Sequence, residues 1–307
     1  MAEATIPVDL RNPGQVFACL GLMEAAEALF PERDFPGRLV TGAYAWSPGE
    51  TRARFTLSVD GVEADPVRAV IDFLTRADAH ALNAPAGGVE HATAKWDVPT
   101  AAFDEADPFA FPFDPPDSPA PLPVRLSQGG RSLDIAHWGD ETALVGRDNV
   151  KFWAGSGGYP GAGLARDALS LVHGLGGNAL AEVAADPFNA PAPQSSSFSF
   201  DWRRSYVPLD AGFSPNAQGS VQMVGFPIVE LLAAIGLSHA RPDRPDRGNK
   251  LAYRYAVSEA RLPTVFARAV LGGADLGFPV RRFRVQLDWP GQEGQARCII
   301  DSREDHA

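Results

Sequence analysis

This sequence of 307 residues is poor in cysteine and has no long apolar run. Its two cysteines, Cys19 and Cys298, are far apart, and neither lies in the CxxC spacing of a zinc or redox site. No apolar run reaches the roughly 18 residues that a bilayer-spanning helix needs. The first residues, Met1 to Thr5, lack the charged and apolar segments of a signal peptide. We therefore expect a reduced, cytoplasmic protein with no membrane partner.

Motifs of known enzyme classes are also missing. The glycines between residues 155 and 163 match neither the dinucleotide-binding fingerprint nor the P-loop, and no GxSxG nucleophile elbow is present. The six histidines are scattered, without an HxH or HExxH pair for a metal. His137 lies three residues from both Asp134 and Asp140, a spacing that fits either an acid–base cluster or polar groups on a turn. We predict a non-catalytic protein with no cofactor and no bound metal.

Negative charge is concentrated in one part of the chain. The net charge is −11; residues 1–120 hold 8 Lys and Arg against 19 Asp and Glu, so residues 121–307 hold 19 of each. An acidic segment repels nucleic acid at long range. Any direct nucleic-acid contact is therefore predicted in the second half or through partners. Twenty-four of the 27 basic residues are arginine, which suits forked phosphate contacts but also follows from a GC-rich genome.

Local patterns in residues 1–96 predict the order strand, helix, strand, strand, helix, which is most of a ferredoxin-like βαββαβ unit. Asn12 is expected to cap the first helix, with Pro13 in its first turn and Gln15 completing a capping box. Apolar residues alternate in the second hairpin strand and follow helical spacing after Asp65. The predicted elements are a strand at 6–10, a helix at 13–30, strands at 39–46 and 52–60, and a helix opening at 65–66.

Residues 97–121 interrupt this pattern with six acids, no Lys or Arg, and repeated prolines. We predict an acidic ferredoxin-like half at 1–96, a proline- and acid-rich linker or loop at 97–121, and a second α+β half at 122–307. The fold class is α+β, with two RRM- or ferredoxin-like βαββαβ units of the RAMP type. The second half is predicted to contain a hairpin at 124–138, helices at 161–173, 226–237 and 263–271, and strands at 251–257, 280–289 and 295–300.

Three segments combine cations with aromatic or glycine residues. The first, residues 149–163, holds five glycines, which let a sugar-phosphate backbone approach closely, and aromatic rings on which bases stack. The second places two arginines directly after an aromatic run at 198–202, and the third places two arginines on one face of a strand. Each also fits an ordinary interpretation, with the aromatics in the core and the arginines paired to acids. The candidate nucleic-acid-binding residues are Lys151, Trp153, Tyr159, Arg203, Arg204, Arg282 and Arg284.

Five longer strings resemble one known family. They are VDLRNPGQVFACLG at 8–21, DNVKFWAGSGGYPG at 148–161, PQSSSFSFDWRR at 193–204, DAGFSPN at 210–216 and DWPGQEGQARC at 288–298. Together they are similar to the third subtype-specific accessory protein of type I-U CRISPR–Cas systems, now called type I-G. The resemblance covers nearly the whole chain.

The resemblance implies a role in prokaryotic antiviral defence beside an RNA-guided, Cascade-like surveillance complex. Its implied partners are guide RNA, target DNA and the other effector subunits, and it transfers no catalytic residue. The first hypothesis is a non-catalytic subunit that touches guide RNA or target DNA. The alternative is an adaptor that docks the helicase–nuclease or another subunit through its acidic half. A minor alternative is a metal-independent ribonuclease that processes guide RNA, with His137 and His173 as candidate acid and base.

Overall fold

The first six elements of the computed structural model follow the order strand, helix, strand, strand, helix, strand. The structure describes residues 1–83, 97–102, 124–136, 139–142, 146–149, 161–203, 223–246, 248–249, 251–288 and 298–306. In this part the protein is α+β, as predicted, with six α-helices and several small sheets. The first elements are β1 (Ala2–Asp9), α1 (Pro13–Leu29), β2 (Val40–Trp46), β3 (Arg52–Val59), α2 (Pro66–Leu74) and β4 (Asp78–Asn83).

Helix α1 begins where predicted, but its capping differs from the predicted box. The Asn12 side chain accepts a hydrogen bond from the Gly14 N–H at 3.1 Å, with Pro13 in the first turn. Gln15 does not reach back to the cap, because its Oε1 accepts the N–H of Asp9 at 2.7 Å. The Asn12 N–H donates to the Asp9 carbonyl instead. Gln15 therefore ties the helix to the end of β1.

The first sheet contains β1, β3 and β2 in that order, all antiparallel. This is the arrangement that the first three strands of a ferredoxin-like unit adopt. The fourth strand departs from it, because β4 pairs with two strands of a second sheet and not with β1. The predicted βαββαβ order along the chain is thus present, while the ferredoxin-like sheet is not confirmed.

The second sheet joins residues from both sides of the predicted linker. It has the order β5-β4-β6-β7, with β5 (Thr100–Ala102), β6 (Val124–Gln128) and β7 (Arg131–Ile135). Gly129 and Gly130 connect β6 to β7 with φ of 56° and 76°, the positive values that a tight type I′ hairpin turn requires. Most of residues 97–121 lies outside the described residues, so the division into two halves stays a prediction.

Six short later elements, between residues 139 and 263, were not predicted. The predicted later helices and strands are present, and only the last strand differs clearly in extent. That strand was expected at 295–300, but it continues to Asp305. Residues 301–305 are polar and only Ser302 among them is buried, so they show none of the apolar alternation that predicts a strand. The elements are β8 (Gly139–Thr142), β9 (Gly146–Asn149), α3 (Gly161–His173), α4 (Leu180–Ala185), β10 (Ala192–Pro193), β11 (Val224–Gly225), α5 (Pro227–His239), β12 (Ala252–Val257), β13 (Leu262–Pro263), α6 (Thr264–Leu271), β14 (Arg281–Asp288) and β15 (Cys298–Asp305).

The core forms where α1 packs against α5, and two glycines allow the close approach. A Cβ added to Gly21 would lie 2.6 Å from the carbonyl carbon of Leu232, and one added to Gly236 would lie 2.9 Å from the Gly21 nitrogen. Both helices also begin with proline. The short strand β13 pairs with β2, so the last third of the chain extends the first sheet. Elements distant in sequence therefore share one hydrophobic cluster.

A buried ionic cluster joins α1, α5 and α6 beside this core. Glu24 is only 5% exposed and accepts two hydrogen bonds from the Arg268 guanidinium, each 2.6 Å long. His239, at the end of α5, lies with its Nδ1 3.5 Å from Glu24 Oε2. Burial, followed by the charge of Arg268, lowers the pKa of His239 to about 4. The imidazole is therefore neutral in the folded protein at neutral pH.

We expect this histidine to make the protein less stable in weak acid. The unfolded His239 has a pKa near 6.5, above its folded value, so protonation favours the unfolded chain. The contribution is fully present above pH ~6.5 and is lost as the pH falls toward 4, at most about 3 kcal/mol. Urea unfolding across this range should show a flatter pH dependence in His239→Gln than in the wild type. The exposed His306→Gln is the control; equal slopes in all three proteins would contradict the prediction.

Candidate nucleic-acid interface

Two of the predicted arginines lie on a three-stranded antiparallel sheet with the order β12-β14-β15. Its inner face is apolar, because alternate residues of β14 (Phe283, Val285 and Leu287) are buried against the core. The residues between them, including Arg282 and Arg284, therefore point to the opposite, outer face. The predicted alternation of this strand is confirmed. Arg284 is exposed and Arg282 is half-buried.

The register of this sheet aligns three arginines across it. Arg284 lies directly opposite Arg254 of β12 on one side and Arg303 of β15 on the other. Residues directly opposite each other project from the same face, so the three side chains form one row, here called the arginine row. Like charges in such positions destabilise a sheet. The repulsion among these three guanidinium groups must therefore be offset by negative charges nearby.

Within the described part of the chain, that compensation is uneven. Arg254 is paired, with Asp243 at 2.8 Å and Asp305 at 3.6 Å. Arg303 has a distant partner, Asp301 at 3.9 Å, and its side chain is 67% exposed. Among described residues, the side chain of Arg284 makes no hydrogen bond or ion pair, and the same is true of Arg282, although Asp305 lies opposite Arg282 on β15. Uncompensated positive charge is therefore greatest at Arg284 and Arg303.

Arg203, another predicted contact, is engaged inside the protein. Its guanidinium donates to both carboxylate oxygens of Asp201, with Nη2 to Oδ2 at 2.6 Å, and also to the carbonyl of Phe188. It lies 3.5 Å above the centre of the Phe226 ring. Asp201 is 2% exposed and also accepts a hydrogen bond from Asn12 at 2.9 Å. This environment gives Arg203 a structural role, whereas a nucleic-acid contact through it stays a prediction.

The aromatic run before Arg203 belongs mainly to the core. Phe198 and Phe200 are buried, and their rings stack with centroids 5.5 Å apart. The interpretation of these two residues as core is confirmed. Trp202 is half-buried, with the Arg11 guanidinium 5.8 Å from its ring centre.

The remaining predicted contacts, Lys151, Trp153, Tyr159 and Arg204, lie outside the described residues. Helix α3 starts at Gly161, as predicted, so the last three residues of the glycine-rich segment 149–163 form its first turn and are buried. The structure therefore brings Arg282 and Arg284 together on one strand, while a contact through the glycine-rich segment stays a prediction.

Of the two candidate ribonuclease histidines, His137 lies outside the described residues. The Nε2 of His173 is 2.8 Å from the carbonyl oxygen of Ala77, a contact between α3 and the start of β4.

Burial raises the pKa of the Cys298 thiol to about 11, which disfavours a thiolate at neutral pH. Among the described residues, no three His, Cys, Asp or Glu side chains are grouped so as to hold a metal ion.

Arg254 and Arg303, which share the arginine row with Arg284, were not among the predicted contacts. Arg254 was predicted on a strand, but nothing in the sequence showed which strand lies beside it. Arg303 falls beyond the predicted end of the last strand at residue 300. The one relevant signal in the sequence was the alternation of arginines on β14. It could identify residues on the neighbouring strands only once the pairing register was known.

Comparisons with known proteins add no identification. None of the described helices is both long enough and apolar enough to cross a membrane. Searches against protein-family models, curated proteins and solved structures found no match to this chain.

Proposed function

We propose that this chain is a non-catalytic accessory subunit that acts with an RNA-guided CRISPR surveillance complex. In this proposal it contacts guide RNA or target DNA through the outer face of the β12-β14-β15 sheet. The observation that carries the contact is the pair Arg282 and Arg284, whose side chains make no ion pair with a described residue, although Asp305 lies across from Arg282. Guanidinium groups bind phosphate oxygens with charge-assisted, forked hydrogen bonds.

The distribution of charge also supports a local contact of this kind. Residues 1–120 carry the whole excess of negative charge, so a nucleic acid would be repelled by that part of the chain. The sheet face belongs to the neutral part, where a few uncompensated arginines are enough to favour an anion. We further propose that both halves are modified ferredoxin-like units. Two features support this: the β1-β3-β2 order, and the proline-started helices α1 and α5 that face each other.

The adaptor hypothesis rests on a different observation. Exposed acids are present at Glu63 and Asp65 in the loop before α2, and exposed apolar side chains are present at Phe266, Leu276 and Phe278. These acidic and apolar side chains would contact a protein partner, and such an interface does not depend on the arginines of β14. The two hypotheses therefore predict different effects when the arginines are removed.

We expect the double variant Arg282→Gln/Arg284→Gln to lose nucleic-acid affinity. Each lost phosphate contact lowers the slope of log affinity against log salt by about 0.7 on a single strand, so the slope should fall by roughly 1.4. Affinity for a labelled single-stranded RNA should fall at least tenfold at low salt. Fluorescence anisotropy over a salt series measures both quantities. The unfolding free energy should be unchanged or rise by about 0.2–1 kcal/mol, because like charges are removed.

Arg52→Gln/Arg54→Gln is a matched control. These arginines are also exposed and alternate on one strand, β3, but Arg52 lies opposite Asp9, and Arg54 lies opposite Pro7 and Ala45. The control removes the same charge without removing the arginine row. Equal losses in both double variants would mean that only net charge matters, which contradicts the proposed interface.

Co-purification tests the cellular role. The tagged chain is expressed with the other subunits of a type I-G system and a guide array, then sized by gel filtration. Co-elution with guide RNA and subunits supports an effector component. Co-elution of the Arg282→Gln/Arg284→Gln protein with subunits at wild-type level, together with unchanged RNA binding, would favour the adaptor. A monomer without RNA or subunits would contradict both.

A further inference from the structure

Arg284 and Arg303 are the two exposed members of the arginine row, and they lie directly opposite each other on adjacent strands. Opposite residues of an antiparallel pair have Cα atoms about 4.5–5.5 Å apart and side chains on one face. Both guanidinium groups therefore reach the same small volume above β14 and β15. The strand pairing alone brings these two charges together, since nineteen positions separate them along the chain.

The surrounding residues restrict where an anion would lie on this face. Next to Arg303 along β15, the outward residues of the adjacent rows are Asp301 and Asp305, which lie opposite Gln286 and Arg282. Phosphate would be repelled on both sides of Arg303 and attracted only at Arg303 itself. On β12, Arg254 is already neutralised by Asp243 and Asp305. The favourable positions are therefore Arg303 and Arg284, while Arg282 is a weaker position because Asp305 lies opposite it.

We propose that Arg284 and Arg303 form a clamp for a single phosphate group of the nucleic-acid backbone. This inference rests on the proposed function and adds to it the residue Arg303, together with a path for the strand. The backbone enters the face over β15 at Arg303, is held between Arg303 and Arg284, and continues along β14 toward Arg282. The clamp offers one phosphate the donors of two guanidinium groups and relieves their mutual repulsion. Arg254 contributes little, because its charge is shared with two carboxylates.

The test compares the single variants Arg284→Gln and Arg303→Gln with the double variant, using the labelled single-stranded RNA. Each single change should lower affinity about tenfold and the salt slope by no more than about 0.7, since the remaining arginine still contacts the phosphate. Because both side chains hold the same phosphate, the double variant should also lose no more than about 0.7 of slope. Arg254→Gln should have a smaller effect than either. Arg33→Gln, whose side chain is 75% exposed in the loop after α1, is the matched control and should have no effect.

The outcomes separate the clamp from the proposed function. If Arg303→Gln binds like the wild type while Arg282→Gln/Arg284→Gln has lost affinity, the clamp is wrong and the interface on β14 stands. A slope loss of about 1.4 in the double variant would mean two separate phosphates and would also overturn the clamp. If no arginine variant changes RNA binding, the proposed interface itself fails.

Two further measurements distinguish a lost phosphate contact from a folding defect and from a site for free phosphate. Thermal melting of Arg284→Gln and Arg303→Gln should show no loss of stability, because an exposed arginine beside like charges is being removed; a variant that melts early would make its affinity loss a folding effect. Adding inorganic phosphate at constant ionic strength should leave RNA binding unchanged. Displacement of the RNA by inorganic phosphate from the wild type and not from Arg303→Gln would identify a free-phosphate site and overturn the backbone assignment.

Discussion

Replacing Gly21 by alanine is expected to destabilise the protein by about 1–2 kcal/mol or more, although alanine is the better helix former. In an open helix interior the change would add about 0.8–1.0 kcal/mol of stability. Here the new methyl group would overlap the backbone of Leu232 on α5, at 2.6 Å from its carbonyl carbon. Backbone atoms cannot rotate away as a side chain can, so the two helices must separate. Overpacking of this kind costs about 1–3 kcal/mol and occasionally more.

Urea unfolding measures the change in the free energy of unfolding. A decrease means that overlap with α5 outweighs the helix propensity of alanine, and an increase means the reverse. Gly236→Ala should act in the same direction, because its methyl group would lie 2.9 Å from the Gly21 nitrogen. Gly174→Ala is the control; the structure gives its added carbon a single neighbour, at 3.3 Å. It should change the unfolding free energy by less than about 0.5 kcal/mol. A stabilised Gly21→Ala would show that α1 and α5 do not cross at these residues.

Arg203→Ala is expected to destabilise the protein by about 2–4 kcal/mol. The carboxylate of Asp201 would remain buried with Asn12 as its one side-chain donor among the described residues. Removing one partner of a buried ion pair costs about 3–5 kcal/mol, and the 28% exposure of the Arg203 side chain lowers that figure. Loss of the contact with the Phe226 ring adds to the effect.

Chemical unfolding of a double variant tests this cause. In Arg203→Ala/Asp201→Asn no charge is left buried without a partner, so this protein should be more stable than Arg203→Ala alone. Arg33→Ala, an arginine with a highly exposed side chain, should change stability by less than about 0.5 kcal/mol. If Arg203→Ala unfolds like the wild type, the internal role of Arg203 is wrong. The result also bears on function, because a loss of RNA binding in an unfolded Arg203 variant says nothing about a contact.

The sheet face shows how far sequence predicts a site. Alternation of apolar and charged residues along β14 predicted correctly that Phe283 and Val285 share one face and that Arg282 and Arg284 share the other, while burial in the folded protein decided which face is exposed. Alternation is a property of one strand, since successive side chains point to opposite faces whatever lies beside them. It does not report which strand is the neighbour or in which register it pairs.

The aromatic residues before Arg203 show a case that the sequence could not decide. Adjacent aromatic and arginine residues favour a binding surface as much as a core, and sequence left both open. Burial of Phe198 and Phe200, and the ion pair between Arg203 and the buried Asp201, resulted from packing against α1 and α5. Residues 12 and 230, which supply hydrogen bonds to this segment, are distant in sequence.

The sequence by itself determined the α+β class, the positions of most helices and strands, and the shared face of the β14 arginines, because capping, alternation and helical spacing act within a few residues. The tertiary structure alone decided that β4 leaves the first sheet, that polar residues 301–305 extend the last strand, and that Arg254 and Arg303 flank Arg284. Each of these depends on contacts between segments far apart along the chain. Such contacts are set by how the whole core packs, which no local pattern encodes.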